Sequence, residues 1–196
     1  MLNVVLTGEV HIGKTTVCQR VAAMARERRC CVCGILTPPI LDENGERLGI
    51  EAVDLASGER RELARLCRSN GNRQQDWNWD GPHIGPYHFD PAALRWAQDA
   101  MLRGMAVCSD LLMVDEIGHL ELEQGQGFGQ VLELLETSAA LRRLLVVRSS
   151  LLAAFLRRLP ELEFAAFEVT AENRTHLPAE LAAYLFAPDV QLRLDC

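Results

Sequence analysis

Residues Gly8-Glu9-Val10-His11-Ile12-Gly13-Lys14-Thr15 fit the pattern GxxxxGK followed by Ser or Thr. An apolar run, Leu2 to Thr7, precedes the loop, and Val17, Val21, Ala22 and Met24 follow it at helical spacing. A glycine-bounded loop between a strand and a helix turns its backbone N–H groups inward, and the positive end of the helix dipole adds to them. That arrangement wraps phosphate. The backbone of residues 9 to 14 would cradle the oxygens and Lys14 would reach the β and γ phosphates. The Thr15 hydroxyl would ligate Mg²⁺, with Thr16 beside it in the first helical turn. Of twenty basic residues only Lys14 is a lysine, so general surface chemistry does not account for it.

A second apolar run, Leu111-Leu112-Met113-Val114, ends in Asp115-Glu116. Acids at the C-terminal end of a strand lie on the edge where open α/β sheets bind ligands. In a Walker B reading Asp115 holds Mg²⁺, and Glu116 orients or deprotonates an attacking water. The spacing between the motifs leaves room for other strands between them. Leu144 to Val147 is expected to lie there, which would point Arg148 or Ser149 at the γ-phosphate. Thr37, ending the run Cys31 to Thr37, shares this edge and could reach nucleotide or metal; a plain strand-ending Thr explains it equally well. Asn173 and Arg174 follow the last expected strand, where the amide could bond a base rim and the guanidinium stack on its face. The alternative is a helix cap beside a solvated arginine.

The elements that must position these residues follow from punctuation and periodicity. Pro38-Pro39 closes the second strand. Ile40 to Leu41 and Leu48 to Leu55 flank Asn44-Gly45, a strong hairpin signal, so an antiparallel excursion near residues 38–58 is expected to leave the sheet. Ser69 to Phe89 reads as a long polar loop, with Trp77 and Trp79 packing it down or clamping a base. Asp90 caps a helix from Pro91 to Arg103. Further helices centre on Gln130 to Leu135, Leu151 to Leu159 and Ala179 to Phe186, with a strand from Phe164 to Thr170. Strands separated by helices need crossover connections. The expected fold is therefore α/β, a mainly parallel sheet with helices on both faces, in one domain over residues 1–196.

Composition excludes several other classes. The 196 residues are 48% hydrophobic and 24% charged, which suits a globular core and contains no apolar run near the ~20 residues of a membrane span. A net charge of −7 argues against nucleic acid or an anionic membrane as the main partner. The start MLNVVLTGEV lacks a basic region and cleavage site, and the expected compartment is the cytoplasm. Seven cysteines, an odd number mostly inside apolar stretches, read as reduced and mostly buried. Cys30-Cys31-x-Cys33 lacks zinc-ligand spacing. The pairs Arg28-Arg29, Arg60-Arg61, Arg142-Arg143 and Arg157-Arg158 read as solvated helix ends, any of which could serve as an arginine finger on self-association.

Taken together, TGEVHIGKTT at 7–16, GILTPPI at 34–40, GIEAVDL at 49–55, GPYHF at 85–89, VDEIGHLEL at 114–122 and VTAENR at 169–174 resemble the thermophilic nucleoside-triphosphatase family, which includes the cancer-related nucleoside triphosphatase. The resemblance covers nearly the whole chain. It implies a three-layer, RecA-like P-loop fold, a catalytic glutamate, and slow Mg²⁺-dependent hydrolysis of several nucleoside triphosphates. The chain departs from the family where Val10 and His11 replace the usual Pro and Gly, so a residue with a Cβ must make the tightest turn. His119 stands where the family usually has Lys, which ties its charge to pH near neutrality. Two other readings share the same loop: a kinase for a nucleoside or small metabolite, and a slow nucleotide-operated switch for a protein partner. Glu116 directly after Asp115 favours water as the nucleophile.

Overall fold

The computed structural model describes residues 2–67, 79–107, 110–122, 127–135 and 142–187. Its centre is one sheet in which β1 (Leu2–Gly8), β2 (Val32–Leu36), β8 (Leu111–Ile117), β9 (Arg142–Val147) and β10 (Ala165–Val169) run parallel in the order β10-β1-β9-β8-β2. In β1, Val4 and Leu6 face one way and Val5 the other, and all three are fully buried, as strands covered on both faces require. On the first face pack α1 (Lys14–Glu27) and α6 (Leu177–Leu185), through Val17, Val21, Ala25, Leu181 and Leu185. On the second lie α2 (Pro91–Ala106), α4 (Gly129–Leu134) and α5 (Leu152–Arg158), through Ala97, Met101, Leu132 and Phe155. These are the expected three layers.

β9 lies between the two motif strands, as the spacing anticipates. Asp90 caps α2, its carboxylate accepting from the Ala92 N–H at 2.8 Å. Gly34 is needed where β2 meets β8. Its φ is +114°, and a Cβ there would fall 1.8 Å from the Met113 carbonyl oxygen.

The antiparallel part is larger than the excursion expected near residues 38–58, and it continues the sheet instead of leaving it. β4 (Arg47–Asp54) pairs with β2 and with β3 (Pro39–Leu41), then β5 (Arg60–Leu66), β7 (Tyr87–Phe89) and β6 (His83–Ile84) extend the edge. The end of the expected loop from Ser69 to Phe89 is thus a hairpin, while residues 68–78, Trp77 among them, lie outside the described residues. Trp79 packs edge-on to His88, with Arg65 over its ring.

The arginine pairs correct another expectation. Arg142-Arg143 opens β9, where Arg143 is fully buried and donates to Asn3 Oδ1 at 2.8 Å, and Arg60-Arg61 opens β5. Neither pair ends a helix, because strand pairing with β1, β8 and β4 claims those backbones. Cys18 and Cys33 are buried, Cys30 and Cys67 partly so, and Cys31 is exposed, since it precedes β2. Among the described residues no group of three His, Cys, Asp or Glu side chains could hold a metal, and no helix is long and apolar enough to cross a membrane.

Candidate functional site

The loop between β1 and α1 turns on three left-handed residues: Gly8 at φ +142°, His11 at +66° and Gly13 at +110°. His11 makes the tight turn that its position demands of a residue with a Cβ. Gly8 has no alternative, because a Cβ there would sit 2.8 Å from the Val169 carbonyl oxygen of neighbouring β10. Gly13 is the N-cap of α1 and supplies no side-chain cap, so the first-turn N–H groups stay available to an anion.

The Lys14 Nζ donates to the carbonyls of Gly8 at 2.9 Å and Glu9 at 2.7 Å, closing over the loop. Burial holds its pKa below the usual lysine value, an effect partly offset by the carboxylates of Glu116 and Asp115.

Across the chamber, Asp115 is 1% exposed. Its Oδ2 accepts from the Thr37 N–H at 3.0 Å, and the Thr15 hydroxyl also bonds the carboxylate. Burial pushes its pKa up to about 6 against those hydrogen bonds. Thr37 is itself buried, and its hydroxyl adds to the contacts of the Asp115 carboxylate. Glu116 has φ +68°. Its Oε1 takes both contacts from Arg148, Nε at 3.1 Å and Nη2 closer still, which leaves Oε2 for another donor.

These side chains line one chamber of about 210 Å³, bounded by Val10, His11, Gly13, Lys14, Thr15, Thr16, Thr37, Asp115, Glu116 and Arg148. Of the two candidates after β9, Arg148 enters it. Ser149 accepts from the Thr7 hydroxyl at 3.2 Å and helps hold the ends of β1 and β9 together.

Asn173 and Arg174 lie on the turn after β10, at the same sheet edge but outside the chamber lining. The Asn173 side chain braces that turn: Oδ1 accepts from the Thr170 N–H at 2.8 Å and Nδ2 donates to the Glu168 carbonyl at 2.7 Å. Arg174 is exposed. His119 opens the short helix α3 (His119–Leu122) and lines a neighbouring cavity, not this chamber.

Two residues escape sequence reasoning. Arg47, on β4, lines the chamber and donates to the Tyr87 hydroxyl at 3.1 Å. Nothing around a single arginine in a hairpin marks it; only the pairing of β4 beside β2 brings it there. Glu121, 4% exposed, accepts from the Gly118 N–H at 2.8 Å and the Phe128 N–H at 3.2 Å, clamping the chain just beyond Glu116.

Residues 3–182 match the profile of a family described as NTPase. The chain belongs to that family. Among NTPase relatives, the nucleoside-triphosphatase THEP1 of Methanosarcina barkeri is 32% identical over 93% of this chain and 96% of its own length. The protein of that name from Methanopyrus kandleri is 40% identical over 62% of this chain and 60% of its own length, so the chain spans less than two thirds of that relative. Solved structures share the NTPase fold: a human cancer-related nucleoside triphosphatase at TM-score 0.71 and 23% identity, covering 96% of this chain and 99% of the other. THEP1 from Aquifex aeolicus gives 0.67 and 15%, covering 94% and 99%.

Proposed function

We propose that the chain hydrolyses nucleoside triphosphates to nucleoside diphosphate and inorganic phosphate with Mg²⁺, accepting several bases. The observation that carries this reading is the convergence of Lys14, Asp115 and Glu116 on the chamber beside the open N-terminus of α1.

The donor chemistry fits Mg²⁺, which takes one or two protein oxygens and completes its shell with phosphate and water. Asp115 and Thr15 would hold it. When bound, the ion neutralises charge on the β and γ oxygens.

The remaining work falls to side chains. The amides of residues 9 to 14 hold the phosphates, and Lys14 exchanges its two carbonyl partners for phosphate oxygens, a stronger charge-assisted contact. Oε2 of Glu116 accepts the proton of the attacking water, while Arg148 fixes the carboxylate through Oε1. A γ-phosphate gives Arg148 a second anion to bond, so substrate itself loosens the pair. Asn173 is taken up by its own turn, and no Asn or Gln lines the chamber among the described residues, which supports broad base tolerance.

The test is Lys14→Ala, measured by phosphate release and nucleotide binding on protein shown folded by circular dichroism. Both should fall at least a hundredfold, or about 2.7 kcal/mol. Phosphate release within threefold of wild type would refute the assignment.

A further inference from the structure

Beside the phosphate chamber lies a larger cavity of about 540 Å³. The two share a wall made by Thr37, Glu116 and Arg148. Away from that wall the lining is mostly apolar, from Ile50 on β4, Leu63 on β5, Ile84 and Phe89 on the terminal hairpin and Phe128, with His83, His119 and Glu121 the ionisable side chains among them. Attack by water needs nothing of this size or character. A volume of several hundred Å³, hydrophobic on most sides with a few polar groups gathered at one end, is how proteins hold small organic molecules.

The shared wall says how such a molecule would lie. Thr37 there is 5% exposed, and its hydroxyl, turned to the Asp115 carboxylate, keeps an oxygen lone pair that can accept from a ligand hydroxyl. On the shared wall Glu116 is paired with Arg148, and deeper in the cavity Glu121 accepts from the backbone amides of Gly118 and Phe128. That pair leaves no net charge on the wall to draw an ionic ligand. A neutral alcohol would place its hydroxyl between Thr37 and Glu116 and its carbon body against Ile50, Leu63 and Phe89.

We propose that this cavity binds a second substrate, a small uncharged alcohol with an apolar or aromatic body, and that the protein transfers the γ-phosphoryl group to it. The reading rests on the nucleotide site described above. The alcohol oxygen attacks the γ-phosphorus from the Glu116 side and forms the new P–O bond. The bond from the γ-phosphorus to the β–γ bridging oxygen breaks, and its electron pair leaves with the nucleoside diphosphate. The hydroxyl proton passes to Glu116 Oε2. The products are a phosphate monoester and the diphosphate, with water as the competing acceptor.

The experiment incubates the full chain with Mg²⁺, ATP and 2-phenylethanol as the probe, and resolves phosphate ester from inorganic phosphate by ³¹P NMR. The ester-to-phosphate ratio should saturate with alcohol and exceed its molar share against water at least tenfold, because a bound acceptor is pre-oriented. Glycerol, with hydroxyls but no apolar body, should stay at its molar share. Ile84→Trp, which fills the cavity from a half-buried strand position, should lower the ratio at least tenfold; Leu63→Phe repeats the test from the opposite wall if the first variant unfolds. Phosphate without ester above the molar share, equal ratios for the two alcohols, or an unchanged ratio in the folded variants would overturn the acceptor site alone. Absence of both products would overturn the hydrolase reading and this one with it.

Discussion

Replacing Asp115 by Asn should stabilise the protein in the absence of nucleotide and metal while disabling it. Burial at 1% exposure raises the carboxyl pKa from 3.8 to about 6, a rise of about two pH units. At ~1.4 kcal/mol per unit, ionising the group in the folded chain costs about 3 kcal/mol more than in the unfolded chain. Between pH 4 and 6 the folded protein keeps a proton that the unfolded chain has released. The stability associated with that proton is fully present below pH 4 and is lost as pH rises through about 6.

Asparagine is neutral throughout. It can keep an oxygen toward the Thr37 N–H and turn its amide toward the Thr15 hydroxyl, which can accept as well as donate. Imperfect fit of that amide reduces the gain to ~1–3 kcal/mol, or roughly 3 to 10 °C in melting temperature for a chain of this size. Thermal unfolding with chelator should therefore show the variant ahead of wild type at pH 8 and level with it near pH 4. Mg²⁺ and ATP at a hundred times the wild-type Kd should raise wild-type stability by about 2.7 kcal/mol and the variant far less. A variant less stable than wild type at pH 8, or a difference indifferent to pH, would refute the assignment of a buried, costly carboxylate.

Glu116→Gln should bind Mg²⁺-nucleotide as wild type does yet release phosphate about 10²- to 10⁴-fold more slowly, measured in single turnover, and a normal rate would move water activation to another group. His11→Gly should relax the left-handed turn at φ +66° and tighten triphosphate binding about two- to tenfold by calorimetry, equivalent to ~0.4–1.4 kcal/mol of relieved strain. The kcat/KM values for ATP, GTP, CTP and UTP should agree within about tenfold, and Arg174→Ala, which removes an exposed guanidinium, should weaken all four alike. A hundredfold preference for one base would show a pocket that reads base edges.

The parts of the site legible in sequence are those where one short segment carries both the pattern and its flanks. The phosphate loop announces its strand, its glycines and its helix together, and the run ending in Asp115-Glu116 announces its edge of the sheet. The position of β9 between β1 and β8 could be inferred because alternating strands and helices leave few topologies. What stayed hidden depends on partners distant in sequence. Arg60–Leu66 carries three arginines and a glutamate and lacks a clean alternation; it becomes a strand because β4 offers an edge, Glu51 pairs with Arg60, and Arg61 lies 4.7 Å from the Trp96 ring centroid. Tyr87–Phe89 and His83–Ile84 are too short to show a period, and Pro86 between them counts against strand. Arg47 reaches the chamber only through these pairings, and so does the apolar cavity next to it.

How Asp115 and Glu116 come to act in one chamber was equally invisible, since consecutive strand residues point to opposite faces. Along β8 the register runs Val114 opposite Leu145 and then Ile117 opposite Val147, so two residues face the single Val146. That bulge, with Glu116 in the left-handed region at φ +68°, cancels the alternation and lets both acids line the same space. Such a conformation costs about 1–3 kcal/mol and survives only where its surroundings over-determine it. Here Ile117 is fully buried directly after it, and Glu121 clamps the amides of Gly118 and Phe128. The third left-handed residue without glycine, Arg29, has an ordinary cause: it ends α1, and the Cys30 N–H bonds back to the Ala25 carbonyl at 3.0 Å. Among the described residues other than glycine, left-handed backbone away from a helix end is thus confined to His11 and Glu116. Both residues line the same chamber, which ties the distortion of the backbone to the candidate site more than to the fold.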